Sequence, residues 1–197
     1  TAIYARIGTS AAASIQICST VMNLFMIVTF GLANAAVVII GNEIGANRES
    51  EAISASKKIS SLSFKISILL AIVLAFLSKP IVSFFNVSVE VKIASEYILY
   101  VYAFILVFKI YNAVMIVGIL RGGGDATYGS ILQGLTLWLI GIPLAAFAAF
   151  IIKLPIYFVV MFAAVEEIIK VFFMMKRFKS FKWIKNMVND EQNEVLT

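Results

Sequence analysis

The chain has 197 residues, 61% of them apolar and only 14% charged, with a mean hydropathy of +0.98. A soluble domain carries roughly 45–50% apolar and about 25% charged residues, and a chain this short leaves much of its surface exposed. That balance excludes soluble, disordered and nucleic-acid-binding classes and makes lipid the solvent.

The expected fold is an all-α polytopic membrane protein. A helix needs about 20 mostly apolar residues to cross the hydrocarbon. Residues 1–8 read as the tail of a preceding transmembrane helix. The chain opens Thr-Ala-Ile-Tyr-Ala-Arg, without an initiator Met, a basic leader or a cleavage site. It therefore reads as part of a longer protein. From Ile7 to Asn42 there are 36 residues without a charge, and the first span is placed at about 12–40. The second runs about 62–85, with Lys65 and Lys79 near its ends, where long side chains snorkel. The third covers about 93–120 and is broken by Gly122-Gly123-Gly124-Asp125. The fourth, about 128–152, is bent by Gly141-Ile142-Pro143. The fifth, about 155–175, starts at Pro155, a favoured first-turn residue. Residues 9–175 thus form one membrane domain of five spans. Residues 176–197 form a basic, amphipathic tail suited to the lipid interface; an ordinary solvated tail is the alternative.

Five spans put the ends on opposite sides. Ten Lys and Arg fall on the side of the C-terminal tail and four on the other. The positive-inside bias makes the tail cytoplasmic.

The polar residues inside the spans carry the functional signal. On the first span Gln16 and Asn34 fall at the same helical angle. Asn23 lies about 20° to one side and Thr20 about 40° to the other. Such a stripe lines a cavity or glues helices together. Lys109 has 12 uncharged residues before it and 11 after it. A charge at that depth costs about 2.5–3.5 kcal/mol unless it meets a partner or water. Glu166, Glu167 and Lys170 in the fifth span are the expected partners, with Lys170 at i+4 and i+3 from the two acids. Asn112, one turn beyond Lys109, shares its face. The cluster is either a structural ion-pair network or a cation-binding, protonatable site. Glu167, less simply satisfied by its own helix than Glu166, is expected to carry any coupling.

The absences are as informative. There is no His, and the one Cys, Cys18, lies in an apolar run. Disulfides, the usual zinc sites and Ser-His or Cys-His catalysis are out of reach. No metal site, cofactor or enzyme activity is expected.

Several stretches resemble a known family. They are the glycine-punctuated Gly31 to Asn47, and Gly118 to Asp125 leading into Leu137-Trp-Leu-Ile-Gly-Ile-Pro143. Val165-Glu-Glu-Ile-Ile-Lys170 and the Lys-Arg-Phe that opens the tail complete the set. Together they resemble the second half of the multidrug and toxic compound extrusion (MATE) family. The resemblance implies a twelve-helix antiporter of two six-helix lobes, with the spans here as helices eight to twelve. It implies a plasma (inner) membrane protein with a cytoplasmic C-terminus. Sodium or protons would enter as small amphipathic organic compounds leave. Partners would be those compounds, membrane lipids and the missing N-terminal lobe, with no nucleic acid. In some branches an acid in the tenth helix binds the cation. The third span reads Phe108-Lys109-Ile-Tyr-Asn112 there, with no acid; burial at membrane depth, and not the family pattern, offers Glu166 or Glu167 as a substitute. The family pattern makes Arg121, Gly122, Gly123, Gly124 and Asp125 a helix junction. With Pro143 they read as structural hinges. The rival readings are a lipid-linked oligosaccharide flippase of related fold and a non-transporting membrane scaffold.

Overall fold

The computed structural model describes residues 9–185. The expectations for residues 1–8 and for 186–197 of the tail lie outside the described residues. The described chain is helical, with no strand among the described residues. Helix α1 spans Thr9–Gly45, α2 Glu49–Ser83 and α3 Val89–Ala113. Helix α3 continues as a π-helical stretch through Val114–Leu120. Helix α4 spans Ala126–Thr136, and the short α5 spans Ile142–Ala146. π-Helical turns at Leu137–Gly141 and Phe147–Ile151 flank α5. Helix α6 spans Ile156–Ala163 and α7 spans Val165–Lys179.

Four of these units are long and apolar enough to cross a membrane: Thr9–Gly45, Glu49–Ser83, Val89–Leu120 and Ala126–Ile151. The fifth expected span is built differently. It is two shorter helices meeting at Ala164, and its helix runs on to Lys179. The 37 residues of α1 extend about 55 Å at about 1.5 Å per residue. That exceeds the roughly 30 Å hydrocarbon core, so α1 must tilt or project beyond it.

Helix α3 lies at the centre. Ile98, Leu99, Leu106, Ile110, Val114, Met115, Ile119 and Leu120 are all fully enclosed. Helix α1 runs alongside it in the same direction. Ser14 donates to Val91 O at 3.4 Å and Cys18 to Ser95 O at 3.4 Å. Further along, the two backbones close in at Gly118. A Cβ there would lie 2.8 Å from Ala36 Cβ and 3.2 Å from Ala33 O. Glycine is needed at this crossing because it removes the side chain between two backbones.

Helix α2 packs antiparallel against α3 through small residues. Ala52, Ser56, Ser63, Ser67, Ala71 and Ser78 are buried along one face. In lipid, helices associate by close backbone approach rather than by excluding water. The hydroxyls of Ser56, Ser63, Ser67 and Ser78 donate to carbonyls of their own helix. The interface therefore holds no unsatisfied hydroxyl from these four residues. At its end Ser60 and Tyr111 share a 2.9 Å hydrogen bond, and Tyr111 Oη donates to Met175 Sδ at 2.9 Å. One phenol thus ties α2, α3 and α7.

The bend expected at Gly141-Ile142-Pro143 is a change of helical pitch. Pro143 removes one N–H from the ladder and crowds the preceding turn. The widened turns on either side of α5 absorb that strain.

The tail differs from the expected interfacial helix. Helix α7 stops at Lys179, and Phe181 takes a left-handed φ of 55°. That conformation is uncommon for a bulky residue and turns the chain back onto the bundle. Trp183 is fully buried, stacks on Phe178 at 5.9 Å and donates from Nε1 to Phe178 O at 3.1 Å. Trp183 is docked on protein while Lys176, Lys179, Lys182 and Lys185 stay exposed, where the sequence offered a helix lying along lipid or a solvated tail. Amphipathic spacing alone cannot distinguish a membrane surface from a protein groove.

Candidate functional site

A cavity of about 190 Å³ opens between α1, α3 and the α6–α7 junction. Helix α1 supplies Ser19, Met22 and Asn23; α3 supplies Tyr102, Ile105 and Lys109. The junction supplies Val160, Ala163, Ala164, Glu166 and Glu167. The junction at Ala164 is a one-residue interruption at the cavity wall: Ala164 keeps right-handed helical φ and ψ, and its N–H donates to Val160 O at 3.1 Å. The break also places Glu166 and Glu167 in the first turn of α7, where the helix dipole favours carboxylates.

The two acids are held differently. Glu167 Oε2 lies 3.3 Å from Lys170 Nζ and accepts from Asn112 Nδ2 at 2.7 Å. The same Asn112 nitrogen donates to Glu167 O at 2.9 Å. Glu166 Oε2 lies 3.8 Å from Lys170 Nζ. That oxygen is buried and has no hydrogen-bond partner among the described residues. Glu166 therefore has the less satisfied Oε2, the reverse of the expectation that favoured Glu167. Spacing along the helix supplies Glu166 with a partner at i+4 but does not reveal Asn112 as a donor to Glu167.

Lys170 is buried against both acids at 4% exposure. Lys109 lines the same cavity, but no ion pair within 4 Å joins it to either acid among the described residues. One cation is thus locked into the pair and the other faces the cavity. Asn112 is buried, and its Oδ1 is also without a hydrogen-bond partner among the described residues. Gly141 gives Glu166 room: a Cβ there would approach Glu166 Cδ to 3.3 Å.

The expected polar stripe divides. Asn23 joins the cavity. Gln16, Thr20 and Asn34 are exposed on α1 but do not line the cavity. Thr20 donates to Gln16 O at 3.0 Å within its own helix. Among the described residues none of the four makes an interhelical hydrogen bond. Ser19 and Tyr102 give no separate signal in the sequence. Each lies on the face of a residue that does, four before Asn23 and seven before Lys109.

The glycine-rich junction is tightly packed. A Cβ on Gly122 would lie 3.1 Å from Val37 O, and one on Gly123 would overlap the Trp183 ring. Gly124 has φ 88°, open to glycine and strained for other residues. Arg121 is exposed. Asp125 is buried and bound twice: Arg177 Nε donates to Oδ2 at 2.7 Å and Lys185 Nζ to Oδ1 at 2.6 Å. Lys185 N also donates to Gly123 O at 2.8 Å. Burial alone would raise the Asp125 carboxyl, but the hydrogen bonds from Arg177 and Lys185 outweigh it and hold it below its usual range. Arg177 also covers the Tyr128 ring at 4.7 Å, a cation–π contact.

Among the described residues no group of three or more His, Cys, Asp or Glu could hold a metal ion. The arrangement brings two carboxylates and Lys109 to the wall of one cavity, with Lys170 paired to both acids.

A family model described as MatE matches residues 1–147. No curated protein and no solved structure matches the chain.

Proposed function

The chain belongs to the MatE family of membrane transporters, and on that premise we propose that it forms one lobe of a cation-coupled exporter of amphipathic organic compounds. Sodium or protons would drive the export by alternating access, a rigid-body rocking of two lobes around a central site. The observation that carries this is the buried Oε2 of Glu166, without a hydrogen-bond donor, beside a cavity shared with Lys109 and Asn23. An acceptor without a donor at membrane depth is costly. It becomes useful if a proton or cation occupies it during part of the cycle.

The exposed Gln16, Thr20 and Asn34 support the second lobe. A polar face of this length is poorly suited to lipid and suits water or another protein surface. The proposed pathway runs along that face. The cavity's two acids balance its Lys109 and the adjoining Lys170. That balance suits a cation entering as a drug leaves better than it suits a substrate rich in phosphate. On this reading the protein is a transporter rather than an enzyme, and it lies in the plasma membrane with a cytoplasmic C-terminus.

The test is transport by the full-length protein in liposomes, with a fluorescent organic cation as cargo. Imposing an inward sodium gradient or an inward proton gradient should drive dye outward under one of them. Dye movement that ignores both gradients would overturn the coupling.

A further inference from the structure

Two apolar grooves on the outer wall join into one track between α2 and α3. The first, about 420 Å³, is bounded by Lys57 and Phe64 of α2 and by Val107, with Met175 of α7 on its far side. The second, about 320 Å³, continues past Ala71 and Ala75 and shares Val107 with the first. From Lys57 to Ala75 the track follows α2 for about 27 Å, at about 1.5 Å per residue. That is close to the roughly 30 Å thickness of the whole hydrocarbon core.

Three features define the occupant. The track is long, open to the outside and mostly apolar, which suits an alkyl chain better than a compact drug. No carboxylate lines either groove, so nothing there attracts an organic cation. Its one charged lining residue is Lys57, at one end, with no ion pair among the described residues. The surrounding wall is lipid-like, with Leu69 and Phe76 widely exposed.

We propose that this track binds an anionic phospholipid, one acyl chain lying along the outward side of the α2–α3 seam and the phosphate at Lys57. Basic pockets at the ends of membrane helices hold anionic head groups in this way. Lys57 sits on the wall that carries the small-residue α2–α3 seam. A bound chain there fills space that close helix packing leaves open. The proposal does not depend on the transport reading, and its test needs no transport.

The experiment is native mass spectrometry of the full-length protein released from micelles containing equal phosphatidylglycerol and phosphatidylcholine. The expected result is retained phosphatidylglycerol in clear excess. Lys57→Gln should cut that excess about fivefold, the effect of one lysine charge near an anionic surface. Lys58→Gln, one residue on and outside the groove, should leave it nearly unchanged. Equal losses in the two variants would mean diffuse surface attraction and overturn the site. Retention of neither lipid would overturn it as well, since the track would then be filled by protein. A second measurement places the chain. A Phe64→Trp protein should lose more fluorescence to brominated phosphatidylglycerol than to brominated phosphatidylcholine. Equal quenching contradicts the proposal.

Discussion

Asn112 donates from one amide nitrogen to both the backbone oxygen of Glu167, at 2.9 Å, and its carboxylate, at 2.7 Å. The contact fixes α7 on α3 and leaves Glu166 Oε2, 3.8 Å from Lys170 Nζ, as the carboxylate oxygen without a hydrogen bond among the described residues. Replacing Asn112 by Leu leaves Glu167 to Lys170 alone. Losing a hydrogen bond to a charged group costs about 1–3 kcal/mol. The variant should melt earlier in detergent, and a double-mutant cycle with Glu167→Gln should show coupling of about 0.5–3 kcal/mol. Purely additive losses would mean that the two residues act independently.

The tail latch should weaken in acid. Asp125 is held below its usual range in the folded protein. A depressed carboxylate contributes stability above its unfolded pKa, and that stability is lost as pH falls through the folded value. In a Trp138→Phe background, emission from buried Trp183 should shift to the red on acidification. Asp125→Asn should show the shifted emission already at neutral pH, with the latch weaker by about 2 kcal/mol. A pH response that survives Asp125→Asn must come from another group.

Two glycine substitutions should have opposite signs. Gly118→Ala pushes a methyl onto Ala36 and the Ala33 backbone, and overpacking costs about 1–3 kcal/mol. Gly134 faces open space, where an added Cβ would meet nothing within 4 Å. Gly134→Ala should stabilise α4 by about 0.5–1 kcal/mol. Thermal unfolding of both variants in the same detergent checks the pair, and a loss at Gly134 would contradict the described packing.

Asn23 should be reachable from water. A cysteine in place of Asn23 should react with a membrane-impermeant thiol reagent, while the native Cys18, fully buried, stays silent. Saturating cargo should slow that reaction if the compound enters the cavity. No labelling of Asn23→Cys would mean that the cavity is closed to water.

Much of this was legible because membrane burial makes polar residues expensive. Lys109, Asn112, Glu166, Glu167 and Lys170 stand out against apolar runs, and helical spacing alone puts Asn112 on the face of Lys109. The structure gathers Asn112, Lys170 and both acids into one cluster. The break at Ala164 carries no such signal, since Ala163-Ala164-Val165 would continue a helix in most settings. The docking of Trp183 on Gly123 was also hidden. It depends on a contact between residues 60 apart in the chain, and nothing local to either residue announces it. The serine face of α2 has a readable small-residue spacing, but its lysines near the helix ends draw attention first. The identity of the freer acid depended on a donor from another helix, which spacing within α7 cannot reveal.

The most direct measurement is gradient-driven dye export by Glu166→Gln beside the parent protein and Glu167→Gln, all full length in liposomes. If Glu166 carries the coupling, Glu166→Gln should still exchange dye down its own gradient but lose roughly tenfold of the ion-driven accumulation, about 1.4 kcal/mol of coupling. Glu167→Gln should retain more of it. Ion-driven accumulation at the parent level in Glu166→Gln would contradict coupling through this carboxylate.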